Sequence, residues 1–123
     1  MDNRHTIILK LINFEDSTEK LKNSLKSFAW DYEGPRAELN CEHLCKVIQR
    51  YLDGDLTSYD IEEWANLIEG REDITFDLSN KVLLQDIVNE LANPELTIKL
   101  SEKRGKEIIH LLSESESSEP RKD

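Results

Sequence analysis

Four times between residues 44 and 112, apolar side chains return at intervals of three and four. The sets are Leu44, Val47, Ile48, Tyr51 and Leu52, then Ile61, Trp64, Ala65 and Ile68, then Leu84, Ile87, Val88 and Leu91, and last Ile108, Ile109 and Leu112. This spacing places each set on one side of an α-helix and predicts four core-facing stripes. The punctuation agrees with the period. Asn40 is a good N-cap, and Leu39 and Leu44 fall at the two positions of a hydrophobic staple. Gly54 follows the first stripe where a helix C-terminus favours glycine. Thr57 or Ser58 caps the second helix, Thr57 and Asp60 approximate a capping box, and Gly70 ends it. A helix over 80–91 stops at Asn93-Pro94, where Asn93 can cap a short turn with Pro94 behind it. Ser101 caps a last helix over 101–112, and Gly105 lies on its inner side, where a missing side chain allows close helix contact.

The N-terminal third is less determinate. TIILKLINF is β-branched enough for a strand, yet it also suits a short helix. No second convincing strand offers itself as a partner, which favours a helix here and another over 17–29, where Leu21, Leu25 and Phe28 share a side and lysines lie outside. WDYEGPR, 30–36, reads as a loop. REDITFD, 71–77, reads as an extended linker pinned to the core by Ile74 and Phe76. SESESSEPRKD, 113–123, reads as a disordered polar tail. The expected fold is therefore all-α: one domain over 1–112, a bundle of five or six short helices, without internal repeats.

The charge is far less evenly spread than the helices. The 123 residues carry a net −10, yet residues 1–52 balance at eight acids and eight bases, and residues 78–112 at five and five. DGDLTSYDIEEWANLIEGREDITFD, 53–77, holds nine acids against the single base Arg71, and the tail adds a net −2. Uniform solubilisation would not concentrate charge so, and like charges crowded on one helix work against its stability. A surface that meets a cationic partner would offset that penalty, because clustered charge steers association and fixes register. Asp60, Glu62, Glu63, Glu69, Glu72 and Asp73 are the expected partner-binding residues.

Other chemistries fit less well. As a calcium loop, Asp53, Asp55 and Thr57 take the first ligand positions, but Ser58 stands where the turn needs glycine and Trp64 where a bidentate glutamate belongs. Cys41 and Cys45 share a helix face while His43 points elsewhere, so these residues do not form a zinc set and the cysteines read as small reduced core residues. There is no HExxH, serine elbow or glycine-rich phosphate loop. His5 and His110 stand apart from any catalytic pattern. A helix-turn-helix around Asp53–Thr57 would present acids to phosphates. Neither enzyme nor nucleic-acid binder is expected, and no metal or cofactor. Reduced cysteines, no apolar run near the roughly 20 residues of a membrane span, and no signal-peptide cleavage pattern point to the cytoplasm.

RYLDGDLTSYDIEEWANLIEG at 50–70, REDITF after it and ELANPEL at 90–96 resemble small helical bacterial proteins, in particular immunity proteins of the colicin-D type and of contact-dependent growth inhibition systems. The resemblance covers roughly residues 39–112 and rests on a helix, a Gly-acid-Leu connection and a second amphipathic helix. It implies a small acidic protein that binds and blocks a basic nuclease toxin. It carries no individual site residues, so the six acids above rest on charge alone. A regulatory adaptor, or an enzyme with an unfamiliar carboxylate site, are the alternatives.

Overall fold

The computed structural model describes residues 4–26, 28 and 36–117. The expected loop over 30–36, apart from Arg36, and the end of the expected tail, 118–123, lie outside them. The elements run α1 (Arg4–Ile12), α2 (Thr18–Leu25), β1 (Ala37–Leu39), α3 (Cys41–Leu52), α4 (Ser58–Ile68), β2 (Ile74–Phe76), a 3-10 turn (Leu78–Asn80), α5 (Lys81–Ala92) and α6 (Glu102–Ser117). The chain is thus mostly helical, but it is not purely all-α.

The departure is a two-stranded parallel sheet, with Ala37 opposite Ile74, Glu38 opposite Thr75 and Leu39 opposite Phe76. Helices α3 and α4 form the crossover that two parallel strands require. The ladder extends at both ends, where Ala37 N–H donates to the Asp73 carbonyl and Asp77 N–H to the Leu39 carbonyl, each at 3.0 Å. The segment expected as an extended linker is therefore a strand with a partner. Ile74 is buried and Phe76 packs half-buried against the core, as its apolar character required.

Helices α3, α4 and α6 start, and α3 stops, for local reasons. On α3, the Asn40 side chain accepts from His43 N–H and His43 Nδ1 accepts from Asn40 N–H, both at 3.0 Å. Leu39 and Leu44 are both buried, completing the staple. At its other end Gly54 adopts φ +86°, with Gly54 N–H bonded to the Tyr51 carbonyl and Asp55 N–H to the Arg50 carbonyl, the paired bonds of a Schellman motif. On α4, Thr57 and Asp60 form a reciprocal capping box, with bonds of 3.1 and 2.9 Å. Ser101 Oγ accepts from Arg104 N–H at the start of α6.

The buried apolar side chains form one cluster. Helix α6 packs on α3 and α5 on α4, while α1 and α2 close the other side against α4 and β1. Gly105 is where α6 approaches α3: a Cβ there would lie 3.0 Å from Leu52 Cδ2 and 3.5 Å from Ile48 Cγ2. Arg104 ties α6 to α5 through a bidentate pair with Glu90, both contacts 2.7 Å, and a further 3.2 Å contact to Glu107. Hydrogen bonding to Glu90 is the largest influence on Arg104; it outweighs burial and makes its proton harder still to remove.

Helix α6 runs to Ser117, five residues past the expected boundary at 112. The extension has an anchor, because the Ser115 hydroxyl bonds to the buried Asn80 side chain at the head of α5. The N-terminal ambiguity resolves to helix, with Ile7, Ile8, Leu11 and Ile12 of α1 buried. Among the described residues no helix is long and apolar enough to cross a membrane.

Candidate interaction surface

The nine acids of residues 53–77 separate into those that hold the fold together and those that do not. Asp53 accepts from the Gln49 amide at 3.0 Å, and Asp55 pairs with Arg50 at 3.1 Å. Asp77 caps the 3-10 turn, accepting from Ser79 N–H and the Asn80 amide. Asp53, Asp55 and Thr57, the residues nearest to a calcium pattern, are thereby each occupied locally. Among the described residues no three His, Cys, Asp or Glu side chains gather as a metal ligand set.

Asp73 departs most from the exposed role assigned to it by charge counting. Its side chain is 1% exposed and faces two arginines. Arg71 donates to both of its oxygens at 2.8 and 3.0 Å, and Arg4, from the start of α1, donates at 2.9 Å. Burial pushes the carboxyl upward, but the hydrogen bonds from Arg71 and Arg4 outweigh it, and Asp73 is held below the ordinary carboxylate value. A buried, paired carboxylate cannot meet an incoming protein, so Asp73 belongs to the scaffold. It fixes the N-terminal helix to the loop leaving α4.

Asp60 has a double position. One of its oxygens closes the α4 capping box, yet the residue is only half-buried and its charge remains at the surface. Glu62 and Glu63 are half-exposed on α4, and Glu69 and Glu72 are exposed at and beyond its C-terminal end. Glu69 receives only a long 3.5 Å contact from the Asn93 amide. Among the described residues none of these four glutamates has a cationic partner within ion-pair distance.

Glu62 also borders a groove between α4 and the segment after α5, with a volume of about 240 Å³. Its apolar part comes from the buried Ile61 and Leu91 and the half-exposed Ile98, and its charged rim from Glu62, Glu95 and Lys99. Glu90 reaches the same groove but is committed to Arg104. Leu96 is 85% exposed and Tyr59, beside Ser58 at the start of α4, is 64% exposed. Exposed apolar and aromatic side chains next to unpaired acids are the composition of a protein-binding patch, in which apolar anchors hold and charges orient. The sequence reading found the acids but missed the apolar members, because Leu96 and Ile98 lie in a segment without helical period.

None of the protein-family models, curated proteins or solved structures compared with this chain matches it.

Proposed function

We propose that this protein is an immunity-type inhibitor, a binding protein that docks its acidic α4 edge on a basic toxin domain such as a nuclease. Glu62, Glu63, Glu69 and Glu72 carry the contact charge, Asp60 adds to the field while capping α4, and the groove at Ile98 with Leu96 and Tyr59 supplies apolar anchors. The observation that carries this reading is the set of four surface glutamates that have no cationic partner among the described residues, in a chain whose remaining cluster acids are used internally or locally. Unneutralised charge gathered along α4 and the loop beyond it repels itself in the free protein, and a cationic partner removes the penalty.

The test is affinity capture from the native host with the full chain as bait, comparing wild type, the Glu62→Lys/Glu63→Lys double variant and Glu102→Lys. The expected result is a basic protein that wild type and Glu102→Lys retain and the double variant loses. Retention by the double variant with loss by Glu102→Lys would assign the acidic edge to solubility alone.

A further inference from the structure

Helix α2 and the loop after α4 enclose a cleft that the net charge conceals. It has a volume of about 410 Å³ and is lined by Arg4, Lys22, Lys26 and Arg71, by Glu72 and Asp73, and by an apolar group of Leu25, Phe28 and Leu67. Four cations against two acids leave it net +2, in a chain that is net −10. We propose that this cleft binds a small organic anion with an apolar or aromatic body, a carboxylate or sulfonate on a ring or short acyl chain.

Three features support that class of ligand. Lys22 and Lys26 stand one turn apart on α2 and its end, both exposed, and neither forms an ion pair among the described residues. Like charges at that spacing repel, and an anion between them relieves the repulsion. Arg71 is held in place, since Nε and Nη2 both bond to the buried Asp73, so one cationic wall needs little ordering on binding. The apolar members then select against a bare inorganic ion. Phe28 already has the Arg4 guanidinium 5.6 Å from its ring centroid, and Leu25 and Leu67 complete a surface that only an apolar body would cover. The volume lies within the range of small-molecule sites, roughly 300–1,000 Å³. An extended nucleic acid is disfavoured because the basic region is confined to one cleft, surrounded by a net negative chain.

The experiment titrates the full chain with 1-naphthalenesulfonate and follows backbone amide resonances. Inorganic sulfate and 1-naphthylmethylamine serve as comparators, and Lys22→Glu/Lys26→Glu as the variant. Both lysines are exposed, so the variant should fold, and its circular dichroism and melting temperature confirm that before titration. The expected result is saturable binding that moves the amides around Lys22, Lys26, Leu67 and Arg71, at least about tenfold weaker for sulfate, for the amine and in the double variant, each tenfold being about 1.4 kcal/mol. No saturation at millimolar concentrations, equal binding of the amine or of sulfate, undiminished binding by the double variant, or shifts confined to another face would each overturn the proposal. Nucleic acid displacing the sulfonate from this cleft at equal charge concentration would overturn it in favour of a polyanion site. Glu72 borders both the cleft and the acidic edge, but the lysine variant leaves all four edge glutamates in place, so this result and that of the capture experiment can be told apart.

Discussion

Phe14 occupies the left-handed region of the backbone, φ +52°, and its ring lies parallel to the Trp64 indole with 6.0 Å between centroids. It is the residue after the C-cap of α1, and the surrounding bonds are those of a Schellman motif: Phe14 N–H to the Leu11 carbonyl and Glu15 N–H to the Lys10 carbonyl. Glycine is the usual occupant there, because a side chain in that conformation costs roughly 1–2 kcal/mol. The ring compensates. It packs against Trp64 on the core side, and Arg50 lies 5.4 Å from its centroid while donating to the Phe14 carbonyl at 2.9 Å. The expected mutational order is therefore inverted from that of an ordinary helix. Phe14→Ala loses the ring and keeps the strain, and should cost about 3–5 kcal/mol. Phe14→Gly loses the ring but relieves the strain, and should be less damaging than alanine by about 0.5–1 kcal/mol. Urea denaturation of the two variants decides it, and alanine equal to or better than glycine would show that the backbone there is unstrained.

Trp64 gives a second, separable test. Its ring is fully buried and its Nε1–H donates to the Leu11 carbonyl at 2.6 Å. Trp64→Phe keeps most of the packing and removes one of the two donors to that carbonyl, which still accepts from Phe14 N–H, a loss of about 0.5–1.5 kcal/mol. Trp64→Ala adds the cavity and should reach about 3–5 kcal/mol. A loss below about 1 kcal/mol for alanine would mean that the indole is not part of the core.

What was legible in the sequence follows from how local each cause is. The stripes at 44–52, 61–68, 84–91 and 108–112 depend on neighbours three and four residues away, and all four are core faces. Asn40, Thr57, Gly54 and Ser101 act within one turn and were equally readable. Strand β1 was not, because three residues carry too little alternation and its partner, Ile74–Phe76, lies 37 positions away. Asp73 was misassigned for the same reason: Arg4, 69 residues distant, is what makes it a buried ion rather than a surface one. Charge counting treats every carboxylate alike, and only tertiary contacts separate Asp73 from Glu72. The cationic cleft was hidden in a similar way, since Arg4, Lys22 and Lys26 belong to a charge-balanced stretch and converge with Arg71 only in the fold.

The Asp73 cluster predicts how the protein fails in acid. Its folded carboxyl is held below the ordinary value by Arg71 and Arg4 despite burial, so the native state binds a proton less readily than the unfolded chain. The stabilisation is fully present above the unfolded value of about 3.9 and is lost as pH falls through the lowered folded value. Asp73→Asn should cost about 3 kcal/mol at neutral pH, the low end for breaking a buried pair, because both arginines reach solvent. It should also flatten the acid limb of the stability curve below about pH 4. An unaltered acid limb in the variant would assign the pH dependence to other carboxylates.

His43 predicts a second dependence nearer neutrality. Partial burial is the main influence that lowers it below 6.5, and its Nδ1 accepts from Asn40 N–H, which requires that nitrogen to be unprotonated. The folded state therefore disfavours the proton that the unfolded chain accepts. Stability is highest above about 6.5 and declines as pH falls from there toward the lowered folded value. His43→Gln keeps an N3 side chain suited to a capping box and should remove this decline while changing stability at pH 8 by less than about 1 kcal/mol. Melting temperatures of both proteins between pH 8 and pH 5 test it: parallel curves would show that His43 titrates as it does in the unfolded chain.

The acidic edge predicts kinetics rather than stability. Glu62 and Glu63 are half-exposed and lie outside the buried set of Ile61, Trp64, Ala65 and Ile68, so their reversal to lysine should leave the fold intact. Against a captured basic partner, wild type should associate fast at low salt and slow steeply as ionic strength rises, because charges are screened beyond about 8–10 Å at 0.1–0.15 M. The double reversal should lower the association rate by about tenfold or more at low salt and flatten its salt dependence, with a smaller effect on dissociation. Leu96→Ser should do the opposite, because an apolar anchor acts after encounter: dissociation accelerates while the association rate and its salt slope stay near wild type. Surface plasmon resonance at several salt concentrations separates the two. If the glutamate reversals change dissociation alone, those carboxylates make short-range contacts and do not steer. If Leu96→Ser has no effect on either rate, Leu96 is not an anchor of the interface and the charges act without it.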